Sequence, residues 1–216
     1  MIVVRTALRP CGWKLLVETL LDVDRQGGQG VPRIVVADQE PPPSLPPGWR
    51  LHLHQGIPGS RMSLWVALTM ASDYPGRVLI LEDDIHLARH ATDRMLGADM
   101  GDTPMVSFFF PRYDSQKART PGYEVRPLTF FRWSQALLLD PMAIIRILDA
   151  GIWPALPRGG DHGGDYALRE ALRAVGYEKF RLHWPNLVEH TGLGPWSTIE
   201  KHRRDHMTSG WFAGDD

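Results

Sequence analysis

The chain of 216 residues holds a single cysteine, Cys11. One thiol excludes an intramolecular disulfide and any zinc site built on several thiolates. A reducing, cytoplasmic setting fits that usage. No apolar stretch is long enough to span a bilayer, and the opening "MIVVRTALRP" turns polar too soon for a secretory signal. Charge of neither sign is in excess. With a formal net charge of −1, nothing global directs the chain to nucleic acid or a membrane surface, although a local basic patch stays open. There is no internal repeat. Hydrophobic residues make up 43%, enough for a packed core and against a disordered chain.

The first half alternates strand and helix patterns. "IVVRTAL" reads as a strand, and "GWKLLVETLLDVDRQ" places Leu15, Leu16, Thr19, Leu20 and Val23 at helical spacing. "RIVVADQE" is a second strand ending on Asp38. A stiff proline-rich loop follows, then the alternating strand "RLHLHQG", the helix Ser60 to Ser72, and the apolar strand "RVLILEDD". In the second half, "PMVSFFF" and "FRWSQALLLD" read as strands. "PMAIIRILDAG" is a helix with Pro141 at its start and Gly151 after its end. "GGDYALREALRAVG" is a helix that Asp165 can cap and Gly176 can close, and "KFRLHWPNLVEH" carries one more strand. The expected fold is α/β, with a central, mostly parallel sheet flanked by helices. Residues 1–200 are expected to form one domain. Residues 201–216 are a polar tail.

Four places carry chemistry. "EDD" (Glu82, Asp83, Asp84) ends a buried strand, where open sheets place ligands. Adjacent carboxylates repel and resist leaving water. The triplet is therefore either a solvated strand end or a site for a divalent cation such as Mg²⁺ or Mn²⁺. "RGGDHGGDY" surrounds Asp161, His162 and Asp165 with glycines that let a backbone approach a ligand closely. Asp165 is either an N-cap or a general base, and the helix dipole is expected to lower its proton affinity. His190, after a short apolar strand, is either structural or a ligand to metal or phosphate. Thr6, Arg9 and Asp38 follow the first two strands and face the same crevice, where arginine suits phosphate and aspartate a ribose or a base N–H.

In one order, "TALRP", "ILEDDIHL", "GGDYALREAL" and "LVEHTG" resemble the nucleotide-sugar glycosyltransferases of the GT-A (Rossmann-like) fold, from Val3 to about Trp196. That resemblance implies a DxD-like motif holding a divalent ion on the diphosphate of a nucleotide-sugar, most often a UDP-sugar. It implies a nucleotide-binding half over 1–100 and an acceptor half over 101–200, assigns Asp84 to the metal with Glu82 and Asp83 supporting the metal or the sugar, and brings His190 to the metal or the diphosphate. Thr6, Arg9, Asp38, Arg61, Glu82 and Asp83 fall on the donor side, and Asp165 becomes the base of an inverting enzyme. "FRWSQALLLD" becomes the acceptor-side strand and loop. Trp133, Ser134, Gln135, Asp161, His162 and Trp196 are its candidates, although Ser134 and Gln135 stand where the family often has glycine. "HTGLGPW" resembles, with altered spacing and no lysine, an ending of certain retaining transferases, so retention stays open.

The acceptor is open among a glycan, a lipid-linked sugar and hydroxymethylated bases of phage DNA. "FFFPRYDSQKARTPGYEVRPLTFFRW" mixes aromatics with Arg112, Lys117, Arg119, Arg126 and Arg132. It is either a surface loop between core strands or a surface for a polyanion or stacked bases. A metal-dependent phosphohydrolase using the same carboxylates with His162 and His190 is the competing class.

Overall fold

The computed structural model describes residues 1–7, 13–38, 40–55, 59–110, 121–153, 163–191 and 212–213. The alternation read in the first half is present: β1 (Ile2–Ala7), α1 (Lys14–Arg25), β2 (Arg33–Asp38), β3 (Trp49–His54), α2 (Ser60–Ala71) and β4 (Val78–Glu82). Then come β5 (Ile85–Leu87), α3 (Ala91–Leu96), β6 (Met105–Ser107), β7 (Gly122–Pro127), β8 (Ala136–Leu139), α4 (Pro141–Asp149), α5 (Gly164–Ala174), β9 (Lys179–Trp184) and β10 (Val188–His190).

Eight strands form one sheet in the order β3-β2-β1-β4-β8-β6-β9-β7, and β10 pairs with β5 in a second, two-stranded sheet. β1 to β4 are mutually parallel. β8 is antiparallel to both β4 and β6, β9 is parallel to β6, and β7 is antiparallel to β9. The sheet is therefore mostly parallel, with reversals at β8 and at the β7 edge.

The central strands β1, β2, β4 and β8 are largely apolar because both faces of the sheet are covered there. Side chains alternate between two buried clusters. Val3, Ile34, Val36, Val78, Ile80, Leu137 and Leu139 pack with α2, α4 and α5. Ile2, Val4, Val35, Leu79, Leu81 and Leu138 pack with α1 and α3 on the other face. On α1, Leu16, Thr19, Leu20 and Val23 are buried as the spacing predicts, whereas Leu15 is only half-buried, at the margin of that stripe.

Several second-half expectations are corrected. In "PMVSFFF" only Met105–Ser107 is strand; Phe108, Phe109 and Phe110 are fully buried core side chains just beyond it. In "FRWSQALLLD" the strand is Ala136–Leu139, and it runs against its neighbours. "KFRLHWPNLVEH" holds two strands in different sheets, separated at Pro185, which has no N–H to extend a ladder. β5 and α3, both short, had no expectation behind them; β7, alternating half-buried and exposed residues, is an edge strand within the stretch read as a surface loop or acceptor surface. Of the aromatic and basic stretch, Phe131 is also core, and the Arg126 guanidinium lies over the Phe110 and Phe130 rings. Arg112, Lys117 and Arg119 lie outside the described residues.

Asp140 caps α4 by accepting from the Met142 and Ala143 N–H groups, with Pro141 in the first turn. At α5 the N-cap is Gly163, not Asp165, which sits inside the first turn. Gly176, at φ 92°, follows its last turn as expected. The second glycine of "HGGD" serves helix packing. A Cβ on Gly164 would lie 2.8 Å from the Ser60 carbonyl oxygen and 3.3 Å from Leu64 Cδ2, so only glycine lets α5 start against α2.

Gly164→Ala should therefore lower the melting temperature, although alanine is the better helix former. Overpacking of this kind costs about 1–3 kcal/mol, and each kcal/mol shifts a chain of this size by about 2–4 °C. Calorimetry decides it: a variant as stable as the parent would mean that α5 does not seat on Ser60.

Candidate active site

Because β1, β2, β3 and β4 are parallel, their carboxyl ends share one edge, and Thr6, Asp38, His54 and Glu82 gather there. β8 runs the other way, so its amino end lies at the same edge. That reversal brings in Ser134 and Gln135, and the Gln135 carbonyl accepts the Glu82 N–H at 3.0 Å.

Strand alternation splits the acidic triplet. Asp83 is 3% exposed and accepts the Thr6 hydroxyl at 2.5 Å. The Thr19 hydroxyl, from the buried face of α1, donates to the Asp83 carbonyl at 2.9 Å. Glu82 and Asp84 take the alternate positions. The β5–β10 pairing sets His190 opposite Ile85, and the Thr191 N–H donates to the Asp84 carbonyl at 2.8 Å. That pairing brings His190 Nε2 to 3.3 Å from Asp84 Oδ2, with the two side chains 4% and 5% exposed. Glu82, Asp84 and His190 each offer a ligand atom, all within 4.8 Å of one another. Two carboxylates and an imidazole that close together suit a hard or borderline divalent cation. Glu82, given a supporting part by the family resemblance, thus joins Asp84 and His190.

Glu82 is held by two donors on one oxygen. Arg5 Nη2 reaches Glu82 Oε1 at 2.8 Å, and the Ser134 hydroxyl reaches the same atom at 2.8 Å. Oε2 has no hydrogen-bond or ion-pair contact among the described residues, which leaves it to a ligand. Arg5 also donates to the Ser60 carbonyl at 2.8 Å, tying β1, α2, β4 and the approach to β8 together. Arg5 and Thr19 were not among the sequence-predicted site residues, and Glu82 was expected only to support the metal or the sugar. Arg5 had a signal: a charge in mid-strand between apolar residues must find a partner. Thr19, at an apolar helical position, had none.

The donor-side candidates surround this edge. Asp38 is 5% exposed, and its Oδ2 accepts the Gly59 N–H at 2.9 Å. Asp38 Oδ1, His54 Nε2, Gln135 Oε1 and Thr191 Oγ1 are buried with no hydrogen-bond partner among the described residues. Four such atoms at one edge are what a ligand site leaves behind. Arg61 donates to the Trp153 carbonyl at 2.5 Å, and Trp153 stacks on Trp65 at 5.5 Å. Trp133 is half-buried and packs against the core. Arg9, Asp161, His162 and Trp196 lie outside the described residues.

Asp165 belongs to the same neighbourhood, within the electrostatic reach of Glu82 and Arg5. Its proton affinity is raised, contrary to the dipole expectation. Burial is the largest cause; the first-turn N–H groups of Tyr166 and Asp165 pull the other way, the Glu82 charge adds to the rise, and Arg5 opposes it.

No protein-family model matches the chain, and no curated protein does. Among solved structures, a nucleoside-diphosphate-sugar pyrophosphorylase from Vibrio cholerae RC9 superposes over 88% of this chain and 95% of its own, with a TM-score of 0.51 at 10% identity. The chain shares that protein's fold. The glycosyltransferase GlyE of Streptococcus pneumoniae TIGR4 aligns over 80% of this chain with a TM-score of 0.45 at 12% identity. Its apo form aligns over 82% with 0.44 at 13%. This chain spans 43% of GlyE's length. Among the described residues, no helix is long and apolar enough to cross a membrane.

The raised Asp165 value fixes a sign. In the unfolded chain its carboxyl titrates near 3.8; in the fold it titrates higher, so ionisation costs the folded state. Relative to Asp165→Asn, the parent should lose stability as pH rises from about 3.8 through the folded value, then stay level. Paired melting curves from pH 3 to 8 test this: a difference that does not change with pH would place Asp165 in water.

Proposed function

We propose that this protein is a metal-dependent glycosyltransferase that moves a sugar from a nucleotide-sugar, a UDP-sugar first among them, to an acceptor hydroxyl. The observation that carries the reading is the convergence of Glu82, Asp84 and His190 within 4.8 Å at the carboxyl edge of the sheet. The fold, shared with a nucleoside-diphosphate-sugar pyrophosphorylase, and the motif order that resembles GT-A enzymes support it.

The donor set fits a divalent cation by its chemistry and by the uncontacted Oε2 of Glu82. Glu82, Asp84 and His190 are the residues that would hold the ion, Mg²⁺ or Mn²⁺. When bound, it supplies positive charge to the diphosphate as the anomeric bond breaks. Asp38, beside the nucleotide end of the crevice, offers Oδ1 to a ribose hydroxyl or a base N–H. Arg9 and Arg61 complete the donor side of the proposal.

Asp165 is the base. It takes the proton of the acceptor hydroxyl while that oxygen bonds to the anomeric carbon and the donor's diphosphate leaves with the electron pair of the broken bond. Attack from the face opposite the diphosphate inverts the centre. A proton affinity above that of a solvated carboxylate makes Asp165 the better base. Its burial keeps competing water away, and the first-turn N–H groups aim its oxygens. Ser134 and Gln135, brought in by the reversed β8, stand on the acceptor side with Trp133. The acceptor itself is a glycan, a lipid-linked sugar or hydroxymethylated DNA, and the single Cys11 keeps a cytoplasmic setting part of this reading.

Incubation with pooled nucleotide-sugars and Mn²⁺, followed by mass spectrometry of simple glycans and hydroxymethylated DNA, should give a hexose-type mass gain on one acceptor class. Release of inorganic phosphate from simple esters, with no sugar transferred, would favour a phosphohydrolase instead. Asp165→Asn should keep donor binding and lose about 10²–10⁴-fold in transfer. Full transfer by that variant would remove Asp165 from the base role.

A further inference from the structure

Arg5 is an almost fully buried charge at the site. Its side chain is 3% exposed, against 21% for Glu82, its ion-pair partner at 2.8 Å. Its other contacts are the Ser60 carbonyl at 2.8 Å, the Ser63 hydroxyl at 3.4 Å and the Ser134 hydroxyl at 3.2 Å. Two effects on Glu82 can be separated. Orientation is secured twice, because Ser134 donates to the same Oε1 at 2.8 Å. Positive charge on Glu82 comes from Arg5 alone among its contacts on the described residues. A fixed cation paired with one of three ligands weakens the field that a mobile cation would feel there, and burial makes the effect strong.

We propose that Arg5 is an internal counter-charge that keeps the affinity of Glu82, Asp84 and His190 for a bare divalent cation low, so that the ion is held firmly only together with a nucleoside diphosphate. The phosphate oxygens restore the negative charge that Arg5 cancels. Arg5 also compensates the Glu82 charge when no cation is present. Ser134 is the complementary device: it orients Glu82 and brings no charge. Arg5 is thus a positioning and charge-setting residue, since it touches neither the ion's other ligands nor, in this arrangement, the reacting atoms. The inference rests on the metal and donor reading proposed above.

The test is Mn²⁺ titration of the full chain followed by electron paramagnetic resonance, without nucleotide and then with saturating UDP. The parent should bind Mn²⁺ weakly alone and tighten markedly with UDP. Arg5→Met should bind Mn²⁺ alone about tenfold tighter or more and gain less from UDP. Arg5→Lys, which keeps the charge and loses the fork, should stay near the parent, and Ser134→Ala should bind Mn²⁺ alone more weakly. If Arg5→Met does not fold, Arg5→Gln, neutral and still a hydrogen-bond donor, replaces it with the same expected direction. Unchanged or weaker Mn²⁺ binding by the neutral variant overturns the proposal, as does tight binding by the parent that UDP does not alter. A parent that binds Mn²⁺ neither alone nor with UDP would instead overturn the metal and donor reading itself.

Discussion

Negative charge gathered at the end of a buried sheet has to be compensated, and much of this molecule is arranged around that requirement. Asp83 and Asp84 are consecutive and almost fully buried, with Glu82 beside them. Ionised carboxylates leave water only when hydrogen bonds or opposite charges replace it. Here the replacement comes from several elements. Thr6 of β1 and Thr19 of α1 hold Asp83 and its backbone, Arg5 and Ser134 hold Glu82, and His190 meets Asp84. Strand alternation does the sorting, sending Asp83 one way and its two neighbours the other.

The supporting fold follows the same logic. The small β5–β10 sheet adds Ile85, Leu87 and Val188 to the core, and it fixes the register that sets His190 against Asp84. The reversed β8 places the start of a strand, and with it the hydroxyl of Ser134, where parallel neighbours end. The glycine at the start of α5 lets two helix amino ends meet, and Asp165 comes within the electrostatic reach of Arg5 and Glu82. The neighbours of Asp165 then decide its chemistry. Burial and the Glu82 charge outweigh the first-turn N–H groups, so a carboxyl at the start of a helix holds its proton more tightly than a solvated one.

The first half of the fold was legible because its signals are local. Four apolar strands and two periodic helices occupy their expected places, and Asp84 with His190 come together as strand-end positions suggested. What stayed hidden depends on contacts distant in sequence. Pairing between Arg5 and Glu82 spans 77 positions, and no periodicity reports it. Phe108 to Phe110 looked like strand because buried aromatics suit both strands and close-packed loops. The pattern "FRWSQALLLD" carries no mark of strand direction, so the reversal of β8 was not visible. For Asp165, the helix start was legible but the burial was not, and burial determines the sign of its shift.

The central claim is that Glu82, Asp84 and His190 hold a divalent cation that meets a nucleotide's diphosphate. Anomalous diffraction at the manganese edge, from crystals grown with Mn²⁺ and UDP, tests it most directly. The account predicts one strong peak bounded by Glu82 Oε2, an Asp84 oxygen and His190 Nε2, with diphosphate oxygens on its open side. A peak elsewhere on the protein, or a diphosphate bound with no metal among these three residues, would contradict it.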